Sequence, residues 1–467
     1  MCCDSLPCIA YTGTDACCPG SAGDSYCAGL LGAGAVCDGT TNTCSSCGPV
    51  SSNTYCVDPV NGSDATGNGS GQTSGGNPAP GCAFQTVTRA LQVLQYPASA
   101  TTIVIVGPST AGPLETFPWN ITPNITLTTE ANSGAVTVDA NDVPASESAA
   151  MFLYGNDTVE GSAGASLTIT NSMGGTSVGI NSYGGNNTVE NLTVTGLANH
   201  GLEVDQGTLT VGPGVTANAN GSSGSSSGQG LFVNGTAVAG ATPVAVVTVP
   251  TGSAQTTFDG NGQHGILVTG GGGLMVDGDP TGNGTITANG NYLAGVWIEQ
   301  SGTTIPAITI NGVVANGSTN GNGVHIFGGS NVTVTSSTAL SNHGNGVQLS
   351  ASHGGSTDIS NINLGSPGAP GDNTLQAAAS TGMNNQGVGV CLNIGATGLT
   401  VLAEGNVFAN ANCETGGTLW GNPSGCTGSA AVCTSSPTGV CDIGTGGAGA
   451  ASNTVDVAGC TSTMYTP

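Results

Sequence analysis

From about Asn171 to Asn410 the chain alternates short apolar-polar runs with Gly- and Asn-rich turns, and one phrase recurs: Gly, apolar, any residue, apolar. It reads Gly201-Leu202-Glu203-Val204, Gly230-Leu231-Phe232-Val233, Gly265-Ile266-Leu267-Val268, Gly295-Val296-Trp297-Ile298, Gly323-Val324-His325-Ile326 and Gly346-Val347-Gln348-Leu349. The opening glycines lie 29, 35, 30, 28 and 23 residues apart. Each interval holds two further short strands. One ends at an Asn (Asn171, Asn199, Asn218, Asn261, Asn289, Asn316, Asn342, Asn410), and the other is an apolar alternation such as Leu274-Met275-Val276 or Ile308-Thr309-Ile310. Three short strands per repeat of this length predict an all-β solenoid, a parallel β-helix whose coils stack at roughly 4.8 Å. Asn recurring at one corner predicts an amide ladder from coil to coil.

Period-two alternation then assigns faces. The residues one and three after each Gly point inward. The residues two and four after it point outward and stack as two columns: Glu203, Phe232, Leu267, Trp297, His325, Gln348, and Asp205, Asn234, Thr269, Glu299, Phe327, Ser350. Aromatics are only 4% of the chain, so Phe232, Trp297, His325 and Phe327 on one face form a candidate sugar-stacking stripe, with Glu203 and Glu299 beside it.

Before the repeats, Tyr55-Cys56-Val57-Asp58-Pro59 is followed by a Gly/Ser loop and by Phe84-Gln85-Thr86-Val87-Thr88-Arg89-Ala90-Leu91. Phe84, Val87, Leu91 and Leu94 fall on one helical face, which predicts a helix over 84–96 ended by Pro97, and Thr101–Val106 is the first strong strand. Further strands are expected at Ile125–Thr129, Ala135–Asp139, Met151–Tyr154 and Ser166–Thr170. This strand, Gly-rich loop, helix and strand succession resembles the N-terminal cap of secreted right-handed parallel β-helix proteins of the pectin-lyase-like superfold. The resemblance covers residues 55 to about 410 and implies a capping helix across the first coil. The expected organisation is a Cys-rich module at 1–54, a cap at 55–100, the β-helix at 101–410 and a Cys-rich C-terminal cap at 411–467.

Charge narrows the function. The 467 residues carry one Lys or Arg, Arg89, against 26 Asp and Glu, for a net charge of −25. Nucleic acid and anionic membranes are therefore excluded as partners, and no apolar run is long enough for membrane insertion. Relatives of this fold that act as lyases use Arg or Lys as the base, and those that hydrolyse polygalacturonan use three aspartates with nearby His, Arg and Lys; neither set is matched here. The acids that could serve catalysis are Glu203 and Asp205, two apart on the outer face with attachment points roughly 7 Å apart. His200, His264 and His343 fall in turns beside the Asn corner. Asp277 and Asp279 could contribute to a calcium site, calcium being the one cofactor considered, but two carboxylates do not complete its shell.

The 17 cysteines cluster at both ends. Cys8, Cys17, Cys18, Cys27, Cys37, Cys44, Cys47, Cys56 and Cys82 near the start, and Cys391, Cys413, Cys426, Cys433, Cys441 and Cys460 near the end, read as disulfide staples in an oxidising compartment, with at least one thiol of the odd total unpaired. Cys44-x-x-Cys47 also has zinc-ligand spacing, though its neighbourhood lacks histidine. Met1-Cys2-Cys3 reads as a mature chain with its signal peptide removed. Together these features point to a non-enzymatic structural or adhesive protein, extracellular or on the cell surface. It would bind a glycan, surface or matrix proteins, or further copies of itself. The alternatives are a carbohydrate-active enzyme, hydrolase or lyase-like, and a subunit of an extracellular filament.

Overall fold

The computed structural model describes residues 53–409, apart from 66, 71–81, 112–113, 145–147, 172–177, 225–226, 280–283, 302–305, 351–358, 377–388 and 394–399. It also describes short strands at Val36–Asp38, Thr43–Ser45, Val440–Asp442, Thr454–Asp456 and Thr461–Thr463. The fold is all-β, a right-handed parallel β-helix, with the described strand pairs of the solenoid parallel and in register from coil to coil apart from a shift around Tyr183. Each coil contributes to three faces. The phrase sheet includes Leu231–Gly235, His264–Gly270, Ala294–Gln300 and Val324–Phe327. The second sheet includes Val244–Thr248, Gly273–Asp277 and Ile308–Asn311, and the third includes Thr216–Asn218, Thr256–Thr257 and Ile286–Thr287. Two long bent strands, Val178–Glu190 and Leu202–Val211, run from the phrase sheet into the second.

The core is the inward column predicted by alternation. Leu202, Val204, Leu231, Val233, Ile266, Val268, Val296, Ile298, Val324 and Ile326 are buried against the apolar inner positions of the other two sheets. The phrase glycine has a steric cause. A Cβ built at Gly265 would lie 2.8 Å from Asn291 Nδ2 and 2.8 Å from Ala288 Cβ; at Gly323 it would lie 2.8 Å from Asn342 Nδ2 and 2.6 Å from Ala339 Cβ. Neither has positive φ, so it is close approach at the corner between third and phrase sheets that demands Gly.

That corner holds two amide ladders where the sequence suggests one. In the inner ladder the backbone N–H of Asn220 donates to Asn261 Oδ1 (3.1 Å), that of Asn261 to Asn291 Oδ1 (2.8 Å) and that of Ser318 to Asn342 Oδ1 (2.9 Å). In the outer ladder, two residues earlier in each coil, Asp259 donates to Asn218 Oδ1, Asn289 to Asp259 Oδ1, Asn316 to Asn289 Oδ1 and Leu340 to Asn316 Oδ1. The outer ladder donates towards the N-terminal end of the solenoid and the inner one towards the C-terminal end. The predicted single column of Asn residues merges members of both.

The expected strands before the repeats are present as Ile125–Thr129, Val136–Asp139, Ala149–Leu153 and Leu167–Thr170. The capping helix is shorter than 84–96 and spans Val87–Val93. Phe84 is held in a bridge to Val57, Thr86 is extended as N-cap, and Tyr96 turns left-handed, so both ends of the apolar run belong to flanking structure. Glu115 accepts from the backbone N–H of Val87 and Thr88 and from Trp119 Nε1, tying the helix start to the first coils. The solenoid begins earlier than 101, because Thr54–Val57 pairs with Thr101–Ile105. It also continues past 410: Val440–Asp442, Thr454–Asp456 and Thr461–Thr463 add one strand to each sheet, so the tail does not leave the repeat as expected.

Among the expected disulfide cysteines, Cys82 is disulfide-bonded, but Cys56 is not: it is a buried free thiol on the first strand, where burial pushes its pKa up to about 11. Cys37 stands opposite Cys44, and Cys391 opposite Cys441, on paired strands. Cys8, Cys17, Cys18, Cys27, Cys47, Cys413, Cys426, Cys433 and Cys460 lie outside the described residues.

Two substitutions test the corner. Asn261→Ala leaves the Asn220 N–H without an acceptor and is expected to cost about 1–3 kcal/mol. Gly265→Val forces a side chain into the ladder, again at about 1–3 kcal/mol. Each should lower the guanidinium unfolding midpoint, and an unchanged midpoint for both would show that the corner does not hold the coils.

Candidate functional site

The outward column of the phrase sheet stacks in register as Asn120, Phe152, Asn181, Glu203, Phe232, Leu267, Trp297, His325 and Gln348. It extends the predicted column by three coils towards the N-terminal end. From Asn120 to His325 it covers seven coil spacings, about 34 Å along the axis.

Its centre is acidic. Glu203 and Asp205 are both buried, and their carboxyl groups lie within hydrogen-bonding reach of each other. Asn234 Nδ2 donates to Glu203 Oε1 (3.1 Å), and Asn181 Nδ2 donates to Asp205 Oδ2 (2.8 Å). Burial, reinforced by the charge of Asp205, pushes Glu203 up to about 7; the Asn234 amide opposes the rise. Glu203 thus keeps its proton up to near-neutral pH beside the Asp205 carboxyl. The roughly 7 Å estimated between attachment points does not separate the carboxyls, which converge instead of straddling a bond.

Aromatic platforms flank this centre on both sides. Towards the N-terminal end, Phe152, Tyr154 and Tyr183 form a mutual cluster with ring centroids 6.2–6.3 Å apart, and the two tyrosines are exposed. On the other side the His200 ring stacks 4.8 Å from Phe232, and Trp297 lies 4.8 Å from His264, 4.1 Å from His325 and 5.6 Å from Phe327. Phe232, Trp297 and Phe327 are half-buried and His325 is buried, so the expected open stripe is recessed. Burial lowers His200 to about 4 and both His264 and His325 to about 3, so the three imidazoles are neutral at physiological pH. His325 Nε2 meets Ser350 Oγ at 3.0 Å, and Glu299, exposed, accepts from Trp297 Nε1 at 3.3 Å.

His200 and His264, expected as turn residues beside the Asn corner, pack onto the outer face. His200 lies before its strand, where alternation does not apply, and His264 opens its strand in register with Ala294. Asn181 was missed, although Gly179-Ile180-Asn181 is the same phrase one coil earlier, with Gly179 closely packed against Val194. Phe152 and Tyr154 lie on a coil whose phrase has lost its glycine, and Tyr183, four residues after Gly179, was missed together with Asn181. His343 stays in its turn, its N–H bonded to Ser318 O. Asp277 is exposed and accepts from Asn311 Nδ2 (2.9 Å), and Asp279 follows it in the loop. Among the described residues no group of three or more His, Cys, Asp or Glu side chains is gathered to hold a metal ion.

No family model and no curated protein matches the chain. Among solved structures, it is similar to the A-module of a mannuronan C-5 epimerase from Azotobacter vinelandii, with 13% identity, coverage of 82% of this chain and 91% of that one, and a TM-score of 0.45. At this identity the likeness concerns the parallel β-helix fold alone. The expectation of a non-enzymatic structural or adhesive protein does not stand. The similar solved structure is a module of a mannuronan C-5 epimerase, and the face described above centres on two buried carboxyls.

The pair has a signature in stability. Between pH about 4.5 and 7 an unfolded Glu has lost its proton while folded Glu203 retains it, so its contribution falls as pH rises through that window. His264 and His325 act oppositely, losing stability as pH falls below 6.5. Glu203→Gln should therefore gain stability relative to the parent between pH 4.5 and 7.5, read from denaturation midpoints; a constant difference across that range would refute the raised titration.

Proposed function

We propose that the protein is a carbohydrate-active enzyme, a polysaccharide hydrolase whose proton-transfer unit is Glu203 with Asp205. The observation that carries this reading is the convergence of the two buried carboxyls midway along a face with aromatic platforms on either side. Sugar rings stack on aromatic faces, and the row runs in one line along the axis, as an extended chain of sugars requires.

A buried carboxyl raised to near-neutral pH can give its proton and take it back. Glu203, protonated near neutral pH, donates to the glycosidic oxygen as the bond from that oxygen to the anomeric carbon breaks. Water forms the new bond to that carbon and its proton returns through solvent to the Glu203 carboxylate, while Asp205, beside Glu203 and not across the bond from it, holds the acid's proton in place by its charge. Asn181 and Asn234 each hold one carboxylate by an amide N–H and fix its direction. Elimination with an Arg or Lys base finds no candidate on this face, since Arg89 belongs to the capping helix. The terminal clusters of cysteine, with Cys82 in a disulfide, support an extracellular place of action, where such polymers are met.

Reducing-end release from a panel of polysaccharides at pH 5–7 tests the reading. The parent should cleave at least one polymer, and Glu203→Gln or Asp205→Asn should lower its rate about 10²–10⁴-fold with the fold intact by circular dichroism. Full activity in both variants would reject the assignment.

A further inference from the structure

Two buried oxygens at the centre of the face have no hydrogen-bond donor: Asn181 Oδ1 and Asp205 Oδ1. Their residues are 2% and 8% exposed, so bulk water does not supply the missing donors freely, and leaving them unmade is costly. Both are acceptors, and the amide hydrogens nearest them are already committed, Asn181 Nδ2 to Asp205 Oδ2 and Asn234 Nδ2 to Glu203 Oε1. A ligand that completes this centre must bring O–H or N–H groups. A sugar hydroxyl does so; neutral sugars and uronates both carry hydroxyls, but the carboxylate of a uronate adds only acceptors and a negative charge.

Charge points the same way. The whole chain has one cationic side chain, Arg89, on the helix at the N-terminal end of the solenoid, and a net charge of −25. The three imidazoles along the face are packed tilted or edge-on against aromatic rings. A polyanion would approach against the field of the molecule and find no guanidinium or ammonium to receive its carboxylates.

The platforms fix the direction of the bound chain. Tyr183 shares a coil with Asn181, and Trp297 lies three coils beyond Glu203, about 14 Å along the axis. That span exceeds a single sugar ring, so the two platforms can be engaged together only by an extended polymer lying parallel to the axis, with its cleaved bond inside the chain.

Resting on the hydrolase reading above, we propose that the substrate is a neutral, hydroxyl-rich polysaccharide, gripped along the solenoid axis between the Phe152–Tyr154–Tyr183 cluster and Trp297, and cut internally. Asn181 and Asp205 receive sugar hydroxyls at the centre, and Trp297 is a remote platform that strengthens binding of long chains only.

Binding to catalytically impaired protein separates this proposal from the hydrolase reading. Glu203→Gln, with Asp205→Asn as a second form in case one misfolds, is assayed by affinity electrophoresis against a β-glucan, a xylan and a galactomannan. Polygalacturonate and alginate serve as the charged set, each with and without added calcium. At least one neutral polymer should bind, with every polyuronate at least ten-fold weaker. Adding Trp297→Ala should weaken binding of the long polymer about ten-fold while leaving its di- and trisaccharide fragments unaffected. A polyuronate bound as well as the best neutral polymer, with or without calcium, overturns the substrate class and leaves a carbohydrate-active enzyme standing. Long-chain binding indifferent to Trp297→Ala overturns the axial placement. Failure of every polymer to be bound by either variant or cleaved by the parent sinks the proposal and the hydrolase reading together.

Discussion

The structure depends on how closely the chain packs where the third sheet turns into the phrase sheet. There the side-chain amides of Asn220, Asn261, Asn291 and Asn342 lie inside the turn, against the phrase glycines, and answer backbone N–H groups of the preceding coil. Backbone polar groups buried in a turn must be paired, and a ladder of identical amides pairs them with the same geometry at each rise. Once the corner repeats, the strand after it keeps register, and every second side chain on the phrase sheet is delivered to one outer face.

That face carries the chemistry because it is poor in charge and partly closed. Two carboxyls placed two residues apart on an open strand would titrate in the ordinary range. Here burial and mutual repulsion raise Glu203, while Asn181 and Asn234 each anchor one member. The aromatic residues on either side do double duty, shielding the acids and the histidines from water and offering flat apolar surface to a ring. Asp157, also raised by burial to about 6, lies under the Phe152–Tyr154 end of the row. Its carboxylate takes the backbone N–H groups of Ile125, Tyr154 and Gly155, so it builds the turn that carries the tyrosine.

Much of this was legible in the sequence because a β-helix writes its register into a repeat. The phrase identified the fold, the inward column and the outward residues Glu203, Asp205, Phe232, Trp297 and His325, and only the polarity of positions one strand step apart was needed. What remained hidden depends on side-chain direction or on broken periodicity. Spacing sets attachment points but not rotamers, so the meeting of the Glu203 and Asp205 carboxyls was invisible. His200 precedes its strand, where period two does not apply, and the ring of His264, on the first residue of its strand, reaches Trp297 on the outer face. Two amide ladders two residues apart both show Asn, so they merged into one. The helix was overextended because Phe84 is apolar on the right face yet serves as a bridge to Val57. Cys56 was grouped with the staples because its burial is a property of the first coil, not of the cysteine pattern.

The central claim is that Glu203, buried beside Asp205 at the heart of this face, keeps its proton up to near-neutral pH. Carboxyl carbon-13 resonances of Glu-labelled protein, followed through a pH titration and assigned with Glu203→Gln, measure it directly. The account predicts one glutamate, Glu203, titrating near pH 7 in the parent and moving to lower pH in Asp205→Asn. A Glu203 resonance that titrates between pH 4 and 5 and ignores the substitution at Asp205 would contradict it.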